Sequence, residues 1–132
     1  MKPFWLVILI VFSPMFAQSQ NVDDIARRSF LKTDKELGLT YKKVLEEYRS
    51  DTLFVRNFER AQQLWVKLRD AELSAKFPDN GDGPGSTSIR IACWYKYKEE
   101  LTRGRIQHLR AWIGGIKEGD VCAGSVKLKA LR

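Results

Sequence analysis

Between Ser50-Asp51-Thr52 and Pro78, apolar side chains return at steps of three and four: Phe54, Phe58, Ala61, Trp65 and Leu68. An α-helix completes a turn in 3.6 residues, so this spacing gathers them on one side. The Ser50-Asp51-Thr52 run offers side-chain oxygens for the helix N-cap, and the pattern predicts a helix over 52–76. A helix with such a stripe has to bury it against another element. The rest of the chain must supply that element.

The neighbouring sequence does so with further helices. Leu37, Tyr41, Val44, Leu45 and Tyr48 recur at helical spacing, and Thr33 with Glu36 forms a capping-box pattern, predicting a helix over 33–50. After the turn-rich run Pro78-Asp79-Asn80-Gly81-Asp82-Gly83-Pro84-Gly85-Ser86, either Ser86 or Ser88 can cap a third helix over 87–113. Cys93, Tyr97, Leu101, Leu109 and Trp112 follow one side of it until Gly114-Gly115 ends it. Val22, Ile25, Phe30 and Leu31 suggest a short helix over 22–31, and the tail 114–132 reads as irregular, with Ser125 to Leu128 ambiguous. The expected fold is all-α, with three main antiparallel helices.

The first residues set the compartment. Met1-Lys2-Pro3 is a short basic start, Phe4 to Phe12 are nine consecutive apolar residues, and Ser13-Pro14 stops the run. A spanning helix needs about 20 apolar residues, so this one reads as the h-region of a secretory signal. Ala17-Gln18-Ser19 places small residues at the two positions a signal peptidase reads. A signal over 1–19, a domain over 20–132 and an exported protein, periplasmic or secreted, with no membrane anchor after processing, are therefore expected. Processing removes one lysine from the 23 basic residues and none of the 16 acids, leaving a charge of 22 − 16 = +6. A basic exported domain favours anionic partners.

Most catalytic constellations fail on residue count alone. One histidine, His108, excludes a metal site with several imidazoles, and Cys93 and Cys122 complete no tetrahedral zinc set. On a shared helix Cys93 and His108 would stand about 22 Å apart, too far for a nucleophile and its base. Gly81, Gly83 and Gly85 superficially suggest phosphate binding, but no strand precedes them and no Lys-Ser/Thr follows. The same run lacks the calcium-loop glutamate, Arg90 standing at the twelfth position. The residues point to no catalytic group, metal or cofactor.

The constellation that stands out is Gln62-x-x-Trp65-x-x-x-Arg69-Asp70-Ala71-Glu72. At 100° per residue Gln62, Trp65 and Arg69 occupy adjoining parts of one helix face. Two readings follow. In one, Arg69 pairs with Glu72 and braces the helix while Trp65 packs in the core. In the other, Trp65 holds the Arg69 guanidinium in place for a partner's carboxylate.

Together with Asp34-x-x-Leu37-x-x-x-Tyr41, Gly85-Ser86, Cys93, Leu101-Thr102 and Arg105, that segment resembles the lysozyme inhibitor LprI family, over about two-thirds of the mature chain. The resemblance implies a small exported helical protein that inhibits lysozyme without chemistry of its own, with Gln62, Trp65, Arg69, Asp70 and Arg105 as the motif positions. The chain departs from the family pattern at Leu73, where a cysteine is usual, and at Gly38, where an asparagine is usual. With Leu73 in that place the family-style bridge to Cys93 is lost, and Cys122 is the one intramolecular alternative. The nine residues from 113 to 122 extend about 30 to 32 Å, just enough to run back along a helix of about 30 Å. A Cys93–Cys122 disulfide is the expectation, with an intermolecular bridge or free thiols as its alternatives.

Inhibition would require the Pro78 to Ser86 loop, or an exposed Arg69 or Arg105, to occlude the acidic lysozyme cleft. A rival reading is a basic interaction module for anionic cell-envelope polymers, lipid headgroups or a protein partner. Lys42, Lys43, Arg49, Arg56, Arg60 and Lys67 populate the first two predicted helices, with Glu46, Glu47 and Glu59 among them. That mixture resembles a solvated helical surface more than a nucleic-acid stripe, and no nucleic-acid partner is expected.

Overall fold

The computed structural model describes residues 21–79 and 86–129. The proposed signal over 1–19 lies outside them. Three helices carry the fold: α1 (Val22–Glu47), α2 (Thr52–Lys76) and α3 (Ser88–Gly114). Consecutive helices are antiparallel, so α1 and α3 run in the same direction and approach each other closely, while α2 stands further off on large side chains. The all-α expectation holds.

Local chemistry explains the boundaries. Asp51 caps α2, its Oδ1 accepting the Phe54 N–H at 2.9 Å. Neither Ser86 nor Ser88 caps α3; Thr87 does, its Oγ1 accepting the Arg90 N–H at 3.3 Å. The helix expected over 33–50 begins eleven residues earlier, at Val22, and the short helix expected over 22–31 is its first part. Thr33 and Glu36 therefore lie inside α1, where Thr33 is buried and donates to Glu99 rather than capping anything. Gly115 ends α3 at φ 65°, and a Cβ there would stand 2.9 Å from the Lys127 carbonyl oxygen.

The core is a cluster of Leu37, Val44, Tyr48, Phe54, Phe58, Ile106 and Leu109, with Tyr41, Trp65 and Trp112 packed against it. Its aromatic rings cluster: Tyr48 stacks on Phe54 at 4.2 Å, Phe54 on Phe58 at 5.2 Å, and Trp112 meets all three. On α2 the buried residues are Phe54 and Phe58, then Arg69 and Leu73, two pairs four apart separated by eleven residues, about three helical turns. Ala61 and Leu68, expected on that stripe, are exposed because the true seam turns away from them. Burial of Thr102 and Ile106 on α3 was not expected from its pattern.

The tail folds back on the closed end of the bundle. Tyr48 Oη donates to the Trp112 carbonyl at 3.0 Å and accepts the Lys127 N–H at 2.9 Å. Lys127 Nζ also donates to the Glu47 carbonyl. Residues around Ser125 to Leu128 form no strand, only a single parallel bridge between Ile116 and Leu128.

Candidate functional site

The motif positions converge. Trp65, on α2, lies between two guanidiniums, with Arg69 Cζ at 5.2 Å from its ring centre and Arg105 Cζ at 5.6 Å. Arg105 reaches across from α3 and donates from Nε to Gln62 Oε1 at 2.9 Å. Arg69 donates from Nε to Asp70 Oδ1 at 3.0 Å, and its Nη1 lies 3.6 Å from Asp34 Oδ1 on α1. All three helices meet in this cluster.

Its electrostatics follow from where the side chains are kept. Arg69 is 8% exposed, so its charge is withdrawn from solvent and taken up by Asp34, Asp70 and the Trp65 face. Glu72, the expected partner of Arg69, is exposed and takes no part; the guanidinium turns inward, toward the acid that α1 presents. Burial lowers the Arg105 pKa. Burial and then the Arg69 charge lower the Lys98 pKa, against opposing pulls from Asp70 and Asp34. Lys98 Nζ rests between rings, 4.9 Å from Phe30 and 4.7 Å from Trp94. Its place in the network was not readable from spacing alone; the signal was only its presence in a stretch of alternating aromatics and lysines.

A second feature occupies the opposite end of the α1–α3 seam from the tail. Val22, Ile25 and Ala26 on α1 and Ile89, Ala92 and Cys93 on α3 line an open, mostly apolar groove of about 750 Å³. Ser29, Thr33 and Arg103 converge on Glu99 beside it. Burial alone would raise the Glu99 pKa, but hydrogen bonds from Arg103 and Ser29, the Arg103 charge and the Thr33 hydroxyl outweigh it and hold the carboxyl below its usual range.

The cysteines correct an expectation. Cys93 and Cys122 are both free and exposed, and no disulfide joins them. Cys93 sits at the groove end of α3, whereas the tail carrying Cys122 is held at the far end by Tyr48 and by the Ile116–Leu128 bridge. That tail is anchored by hydrogen bonds without a disulfide. Among the described residues no group of three or more His, Cys, Asp and Glu is placed to hold a metal ion, and no helix is long and apolar enough to cross a membrane.

The flanks of the loop between α2 and α3 are also fixed. Arg90 Nη2 donates to Asp79 Oδ1 at 2.9 Å, and the Phe77 ring packs on Tyr97 with centres 6.3 Å apart. Residues 80–85, the middle of the expected wedge, lie outside the described residues.

No curated protein and no solved structure matches the chain. The sequence profile described as lysozyme inhibitor LprI matches residues 15–109, more than half of the chain and every position of the Trp65 cluster. On that match the chain belongs to the lysozyme inhibitor LprI family.

Proposed function

We propose that this chain is an exported, non-catalytic inhibitor that blocks the lysozyme cleft, and that its motif residues hold the inhibitor's shape. Family membership over residues 15–109 carries the inhibitory reading. The division of labour within the chain rests on the burial of Arg69. A guanidinium engaged by two carboxylates and an indole would have to give up those partners before meeting a carboxylate of lysozyme. Gln62, Trp65, Asp70 and Arg105 act with it as one bracket across the three helices.

The occluding element in this reading is the Pro78 to Ser86 connection. The residues at either end of it are held by the Arg90–Asp79 pair and the Thr87 cap, which would lower the entropic cost of presenting it to a partner. A mature charge of +6 repels a basic lysozyme at long range and slows encounter, most strongly at low salt.

The test is turnover of peptidoglycan by basic and less basic lysozymes, titrated with the purified processed chain at low and moderate salt. Dose-dependent inhibition at a defined stoichiometry, with faster onset against basic lysozymes as salt rises, is the expected outcome. Full turnover by every lysozyme at saturating protein would overturn the proposal.

A further inference from the structure

In sequence the charges of α1 look mixed, but in the folded chain the middle of the helix sorts them by face. Asp34 turns to the α2 flank, where it meets Arg69 at 3.6 Å, and Glu36 turns to the α3 flank, where it accepts from Arg110 Nη2 at 2.6 Å. Arg27, Arg28, Lys32, Lys35, Lys42 and Lys43 remain on the outward side, all exposed. Glu46, where that side ends, is taken by Arg49 at 2.8 Å. Among the described residues none of the six cations makes an ion pair, while Arg69, Arg90, Arg103 and Arg110 all do. The six span about 24 Å of helix with no carboxylate between them on that side, Asp24 lying on it one turn before Arg28 and Glu46 one turn after Lys42.

Two leucines lie among these cations, each more than half exposed. Leu31 is 51% exposed and Leu39 is 61% exposed, eight residues apart and about 80° apart around the helix, both on its outward side. A soluble polyanion would satisfy the cations and leave the leucines wet. A bilayer with anionic headgroups satisfies both, because the phosphates meet the cations while the leucines enter the headgroup boundary and the long basic side chains reach back to its surface.

We propose that the outward face of α1 docks this domain on an anionic lipid surface, with α1 lying along the membrane plane. The proposal is independent of lysozyme inhibition.

The experiment is cosedimentation of the processed chain from Gln20, which contains every described helix, with vesicles. Vesicles of phosphatidylglycerol mixed with phosphatidylethanolamine should pellet the protein, vesicles of phosphatidylcholine alone should not, and added salt should release it. Lys35→Glu with Lys42→Glu should weaken binding about tenfold or more with an unchanged melt, since neither side chain makes an ion pair in the fold. Leu31→Ser with Leu39→Ser should weaken binding to vesicles but leave binding to dextran sulfate unchanged. Arg56→Glu with Arg60→Glu, on α2, is the control and should bind vesicles nearly as well as the parent.

Absence of binding to the anionic vesicles would overturn the proposal. So would an equal loss in the α2 control, or dextran sulfate binding with no dependence of vesicle binding on the leucines, which would transfer the face to a soluble polymer.

Discussion

The two ends of this bundle are built on different physics. At the closed end, Tyr48, Phe54, Phe58 and Trp112 form a ring cluster, and the tail is tied over it through the Tyr48 hydroxyl. At the other end, Glu99 gathers two hydroxyls and a guanidinium beside an apolar groove that stays open. Between them lies the Trp65 cluster, where charge is buried only because each guanidinium has an indole face and a hydrogen-bond acceptor. The comparison teaches that stability concentrates at the closed end, leaving the open end to depend on pH and on charge.

The largest effect should come from Phe58→Ala, which leaves a void among three rings and should cost about 3 to 5 kcal/mol in denaturant unfolding. A cost below about 1 kcal/mol would mean that the closed end is not the main support. Next comes Tyr48→Phe, which deletes one donor and one acceptor and leaves the Trp112 carbonyl and Lys127 amide unpaired. It should cost about 1 to 2 kcal/mol and speed hydrogen exchange at the Lys127 amide; unchanged exchange there would show that the tail is held by something else.

At the open end the expected effects are smaller and depend on pH. Glu99 has its folded pKa depressed, so its contribution is fully present above the unfolded value of about 4.3 and is lost as pH falls through the lower folded value. Melting temperature should therefore drop on acidification below about pH 4.3, and Glu99→Gln should flatten that drop. An acid-induced drop of the same size in the variant would remove Glu99 from the account. The smallest change belongs to Cys93→Ser and Cys122→Ser, which should each move stability by no more than about 0.5 kcal/mol in oxidising buffer, since both thiols are free and exposed. A loss of about 2 kcal/mol or more would indicate a bridge that the fold does not contain.

Much of the fold was legible because its signals are local. The steps from Phe54 to Trp65 marked α2, Asp51 was among the caps available for it, and Gly114-Gly115 marked the end of α3. The start of α1 was not legible, because Thr33 followed by Glu36 has the form of a cap in sequence while in the fold Thr33 serves Glu99 across the seam. The same limit applies to Arg69. Helical spacing offered Glu72 as its partner, but the choice was made by Asp34, thirty-five residues away in sequence, which no local pattern announces. Spacing brought Gln62, Trp65 and Arg69 together on one face; the reach of Arg105 to Gln62 from α3 required the packed bundle.

The proposal that the motif holds the inhibitor's shape while other surfaces meet lysozyme is tested most directly with Arg69→Ala, measuring thermal unfolding and lysozyme inhibition on the same preparation. Loss of the guanidinium should cost about 1 to 3 kcal/mol, because Asp34 and Asp70 lose a partner and Trp65 loses one of its two covers, a drop of several degrees in melting temperature. Inhibition per folded molecule should be unchanged at a temperature where the variant remains native. An unchanged melting temperature together with lost inhibition would contradict the account and make Arg69 the group that meets lysozyme.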